Sequence, residues 1–85
     1  MAHGANDVVS FSRYDRGYER WLLQNPRGWV VNVESAQLHA AMCGHIRTPN
    51  PRQRGWHAKA CSVSRTALQA WADQHQLSLV RCPKC

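Results

Sequence analysis

The sequence predicts a small α+β domain: a short antiparallel sheet carrying two helices, in the order α-β-β-β-α-β. Three observations lead to that expectation. Apolar residues recur at helical spacing at Tyr14, Tyr18, Trp21 and Leu22, and again at Ala67, Leu68, Trp71 and Ala72. Between and after them lie short β-branched and aromatic stretches bounded by glycine, proline and asparagine. The chain has 85 residues. A domain of this size buries only roughly 60% of the surface its unfolded chain exposes, so its core needs a further staple.

Taken in order, residues 1–12 carry Gly4, Asn6 and Asp7 without helical periodicity and read as a flexible tail, which leaves 13–85 as one domain. The first helix is expected over 13–24, weakened by Gly17 and ended by the turn Asn25-Pro26-Arg27-Gly28. Residues 29–34, Trp-Val-Val-Asn-Val-Glu, suit a strand. After Ser35-Ala36-Gln37, residues 38–42 read as its hairpin partner, although Ala36, Ala40 and Ala41 also suit a helix. Gly44, Pro49, Asn50, Pro51 and Gly55 make 43–55 a loop. A third strand is expected over 56–62. Ser62 or Ser64 caps the second helix, which runs to about His75. Leu77, Leu79 and Val80 form a last short strand leading into Cys82-Pro83-Lys84-Cys85.

The formal charge is +6, and it is unevenly placed. Residues 1–34 hold four bases and four acids, whereas 35–85 hold seven bases and only Asp73 as an acid. Such asymmetry suggests a polyanionic partner, nucleic acid first. No apolar run approaches the ~18 residues of a membrane span, and residues 1–10 lack the basic-then-apolar layout of a secretory signal. A cytoplasmic protein with no membrane partner is therefore expected. A hydrophobic content of 44% with four tryptophans argues against wholesale disorder.

Cys82-x-x-Cys85 follows a predicted strand, and two thiolates at that spacing can share one metal ion from a tight turn. Cys43 and Cys61 supply the other two positions of a tetrahedral site. Four cysteines thus match four positions, and structural Zn²⁺ is the expected ion. A mixed set is the alternative, with His39 or His45 in place of Cys61. Disulfides and a thioredoxin-like redox pair are further readings. The first is disfavoured by the missing signal sequence, and the second by the lack of a helix starting at the pair. His57 and His75 have no ligand spacing to the pair; His75 at a helix end suits the C-terminal dipole.

The succession Gly28-Trp29-Val30-Val31-Asn32, Leu38-His39-x-Ala41-x-Cys43, Lys59-x-Cys61, Leu68-x-x-Trp71-Ala72 and Cys82-x-x-Cys85 resembles a small cysteine-containing module of actinobacterial proteins, some of which carry nuclease or restriction-type domains. The resemblance spans about residues 18–85. It implies an accessory module that helps recognise nucleic acid, with Cys43, Cys61, Cys82 and Cys85 as metal ligands and His39 as a further candidate.

The expected contact surface is the basic stretch 45–59, with Arg47, Arg52, Arg54 and Lys59 for phosphates, Trp56 for stacking on a base, and Arg65 beyond it. DNA is the first expectation for the target. A nuclease domain or a protein partner is a further expected associate. A zinc module that binds an acidic protein without nucleic acid is the alternative. No Ser/His/Asp set, paired carboxylates or glycine-rich phosphate loop appears, so an enzyme is not expected.

Overall fold

The computed structural model describes residues 7–44, 46–47 and 57–83. The elements are β1 (Val9–Phe11), α1 (Arg16–Gln24), β2 (Trp29–Asn32), β3 (Gln37–Ala40), β4 (Lys59–Ser62), α2 (Arg65–Gln74) and β5 (Val80–Arg81). They form an α+β fold whose single five-stranded sheet has the order β1-β4-β2-β3-β5.

Two features of the sheet differ from expectation. Val9–Phe11, expected within a tail, is an edge strand paired antiparallel with β4. Three residues are too few for a period-2 signal, and their ladder comes from a partner some fifty positions away. The sheet is also mixed: β5 runs parallel to β3, with Gln37 opposite Val80 and Leu38 opposite Arg81. The chain reaches β5 through α2, and a crossover helix is the ordinary route to a parallel neighbour.

Strand alternation sorts the core into two faces. Val30 lies between His39 on β3 and Cys61 on β4, so these three share one face. That face packs against Tyr18 and Leu22 of α1, together with Ala41, Cys43, Ile46 and Cys82. Val31 lies between Leu38 and Ala60 on the opposite face, under Leu68 of α2. The sheet is therefore the middle of three layers.

Local chemistry explains the boundaries. Asp15 caps α1 by accepting from the Gly17 amide at 2.8 Å, so the helix starts after Tyr14, which stays 55% exposed instead of joining the apolar stripe. At Gly17 a Cβ would lie 3.2 Å from the Phe11 ring, so the residue expected to weaken α1 instead lets β1 approach it. Asn25 closes α1, its amide donating to the Trp21 carbonyl at 2.9 Å. In the β2–β3 connection, Asn32 Oδ1 accepts from the Glu34 amide at 3.1 Å. Ala36 adopts φ 59°, a left-handed conformation that excludes the helical alternative there. Ser64 caps α2 through the Ala67 amide at 3.1 Å. His75 ends that helix with Nδ1 2.8 Å from the Trp71 carbonyl and its ring stacked on Trp71 at 4.2 Å. No helix among the described residues is long and apolar enough to cross a membrane.

Candidate metal centre

Three buried side chains converge on the α1 face of the sheet. The ligand atoms of His39, Cys43 and Cys82 all lie within 4.8 Å of one another. Each arrives by a different device. His39 is held in β3 opposite Val30, and strand alternation turns it toward α1. Cys43 follows in the turn that ends β3, where its amide donates to the Ala40 carbonyl at 2.9 Å. Its own carbonyl accepts from the Ile46 and Arg47 amides at 3.0 and 3.1 Å, fixing its backbone on both sides. Cys82 comes from β5: one step past the Leu38–Arg81 pair, its amide donates to the Leu38 carbonyl at 2.9 Å, which sets it beside His39. The two-residue strand thus carries a ligand to the site.

The donor set fits a tetrahedral zinc-type ion. Bond lengths of ~2.3 Å to sulfur and ~2.0 Å to imidazole nitrogen place such donors roughly 3.5–4 Å apart. The observed upper limit of 4.8 Å is compatible with that spacing. Its burial is nearly complete, with 5%, 6% and 2% exposure for His39, Cys43 and Cys82. Cys43 is disulfide-bonded here. Metal binding therefore calls for the reduced form of this cysteine.

Cys61 does not join the group. It shares the sheet face, but β2 and Val30 stand between it and His39. Two strand spacings separate the backbones by roughly 9–10 Å. Its thiol is 0% exposed, and burial pushes its pKa up to about 12 against the opposing pull of the Lys59 charge. Such a thiol stays protonated and acts as a small apolar core residue. The arrangement corresponds to the mixed Cys/His alternative, with His39 in the place first assigned to Cys61. Its sequence signal is a histidine four positions before a cysteine at a strand end. Cys85 and His45 lie outside the described residues.

A second unusual group borders this core. The Tyr18 hydroxyl is buried and has no hydrogen-bond partner among the described residues. Burial raises its pKa, with Cys61 as the next contributor, so it stays a neutral phenol. Lys59 lies above its ring, with Nζ 5.2 Å from the centroid.

The expected nucleic-acid residues divide by exposure. Arg47 donates from Nε to the Ala41 carbonyl at 2.9 Å and from Nη2 to the Leu22 carbonyl at 3.2 Å. It thereby ties the segment after Cys43 to the last turn of α1. Lys59 is 5% exposed, and its Nζ donates to the His57 carbonyl at 2.7 Å. Burial lowers its pKa. These two bases serve the fold. Arg65 stays exposed on the first turn of α2, its guanidinium 5.3 Å from the Trp29 ring centroid. Arg52, Arg54 and Trp56 lie outside the described residues.

Glu19, Leu22, Leu23 and Arg47 line an open cleft of about 280 Å³. No protein-family model, curated protein or solved structure matches this chain.

Proposed function

We propose that this chain is a zinc-stabilised recognition module for nucleic acid, in which a Cys/His centre anchors one end of a basic segment. The observation that carries the metal half is the buried convergence of His39, Cys43 and Cys82. Two thiolates and an imidazole suit zinc better than the oxygen-seeking ions calcium and magnesium. Cys85, three positions after Cys82, is the natural fourth ligand. With no position left open the ion is structural, which speaks against a hydrolytic role.

The nucleic-acid half rests on charge placement. No acid lies between Glu34 and Asp73, and the bases of that span cluster in the segment that starts beside Cys43. Arg47 and Lys59 are committed to internal carbonyls, so Arg52, Arg54 and Arg65 are assigned the phosphates and Trp56 a base. Metal for the fold and arginines for contact is the mechanism. The protein-partner alternative has one observation in its favour: Leu23 and Met42 are 75% and 60% exposed, and Leu23 lines the cleft beside α1.

The test is a titration of zinc-loaded protein with duplex and single-stranded DNA at several salt concentrations. Three phosphate contacts predict a log–log salt slope near about −2 to −3. Binding insensitive to salt, or none to either form with zinc demonstrably bound, overturns the nucleic-acid half and leaves the metal half standing.

A further inference from the structure

Strand alternation leaves one charged strand residue on the α2 side of the sheet. Cys82 stands with His39 on the α1 side, so Arg81, one position earlier and paired with Leu38, points to the α2 side. The five strands carry no acidic residue, and their other ionisable side chains, His39, Lys59 and Cys61, lie on the α1 side. Arg81 is exposed. A second exposed arginine, Arg65, opens α2 with its guanidinium 5.3 Å from the Trp29 ring centroid. No ion pair among the described residues involves either arginine.

Between the two arginines the sheet offers an aromatic wall and a small floor. Trp29 faces the α2 side with Val31, two positions on, and is partly exposed. Its neighbour on β3 is Ala40, also partly exposed, and β3 separates β2 from β5. Two strand spacings, roughly 9–10 Å across the sheet, therefore separate the Trp29 and Arg81 strands. α2 packs on β4 and β2, so Arg65 borders this strip on one side and Arg81 on the other. The methyl group of Ala40 keeps the floor low enough for a flat ring.

We propose that Trp29, Ala40, Arg65 and Arg81 form a shelf for single-stranded nucleic acid: one base lies over Ala40 against the Trp29–Arg65 pair, and the two arginines take the flanking phosphates. The inference rests on the nucleic-acid reading given above and adds to it the strandedness and a place on the sheet. A guanidinium set against a tryptophan ring keeps its N–H edge for a phosphate and its outer plane for a base. In a duplex the base faces are covered by neighbouring pairs, so only an unpaired strand can lay a base on this wall. An acidic peptide would satisfy the arginines and leave the aromatic wall without a flat partner.

The experiment titrates the full chain with a short fluorescent oligodeoxythymidylate over a range of salt, with the matching duplex and a polyglutamate peptide as further arms. Single-strand binding is expected to be the tightest. Arg65→Ala and Arg81→Ala should each lower the log–log salt slope by about 0.7, and by about 1.4 together. Arg65→Lys and Arg81→Lys should keep the slope, which separates lost phosphate contact from lost fold. Arg20→Ala, an equal charge change on exposed α1, should leave it unchanged. Photo-crosslinking of a thiothymidine oligonucleotide should map to the peptide carrying Trp29. No binding to any nucleic acid overturns the nucleic-acid reading and the shelf with it. Single-strand binding whose slope survives the double alanine variant, or falls equally in Arg20→Ala, overturns the shelf alone. Preference for duplex, or for polyglutamate with the same arginine dependence, overturns the assigned occupant.

Discussion

At Tyr18 and His39 the environment of one atom decides the behaviour of the residue. A buried hydroxyl without a partner carries its full desolvation penalty, about 1–3 kcal/mol. The Tyr18 hydroxyl is in that position among the described residues. Tyr18→Phe should therefore raise the stability of the metal-free protein, by about 1 kcal/mol, in urea unfolding. A loss of stability would show that the hydroxyl has a partner. His39 and Cys61 make a sharper pair. Both are buried on the same sheet face, but only His39 stands with Cys43 and Cys82. His39→Ala should weaken zinc binding by more than the ~10–100-fold that loss of an outer-shell partner costs. Cys61→Ala should keep zinc and lose only core packing. Competition with a chelator of known affinity separates the two. Arg47 shows a related effect: an arginine in a basic stretch can be tied by Nε to a turn carbonyl, Ala41, and by Nη2 to a helix-end carbonyl, Leu22.

Among elements, the connections carry most of the specificity. A Cβ at Gly28, between α1 and β2, would lie 2.5 Å from the Trp21 ring and 3.3 Å from the Ser62 carbonyl. Gly28→Ala should cost about 1–3 kcal/mol, read as a lower urea midpoint at unchanged slope. Glu34, just past β2, ties three segments together. It accepts from Arg13 Nε at 3.0 Å and lies 2.7 Å from His57 Nδ1. The hydrogen bond from Arg13, followed by that from His57, holds its carboxyl below the ordinary value of 4.5. A depressed carboxylate stabilises the fold above its unfolded pKa, and the contribution fades as pH falls through the folded value. Acid titration of stability should thus show a loss beginning near pH 4.5 and continuing below it, flattened in Glu34→Gln. An unchanged acid limb in that variant would remove the clasp from the account.

Across the whole molecule, an ion at the candidate centre would join parts that the sheet alone holds weakly. β5 is two residues long and exposed, at one edge of the sheet, yet Cys82 follows it directly. An ion bound by His39, Cys43 and Cys82 would fasten this edge to β3 and to the turn beyond it. Chelation should lower the thermal midpoint and raise hydrogen exchange first at β5 and the β3 turn, while β2 and β4 at the sheet centre keep their protection. Uniform exchange, or no shift in midpoint, would contradict that ordering. A bound ion would change the net charge as well. Three thiolates on one divalent ion carry a net −1, so a Cys₃His centre reduces the formal +6 to +5. Two of the bases in the basic half, Arg47 and Lys59, are already taken by the fold.

Local residue chemistry was enough to place both helices, the β2–β3 hairpin and the stretch around β4. Amphipathic spacing at Tyr18, Trp21 and Leu22, the Asn25–Gly28 turn and the Ser64 cap all act within a few residues. Cys43 and Cys82 were legible as candidate ligands for the same reason, since each lies at a predicted strand end. Three features depended on pairing across the chain. β1 exists because β4 offers it a ladder; β5 runs parallel to β3 because α2 carries the chain across; and His39 stands with the cysteines because the Leu38–Arg81 register places Cys82 next to it. Cys61 seemed equal to the other cysteines in spacing. It differs because Val30 occupies the strand between it and His39, and a neighbour two strands away is set by sheet order, which no local pattern encodes.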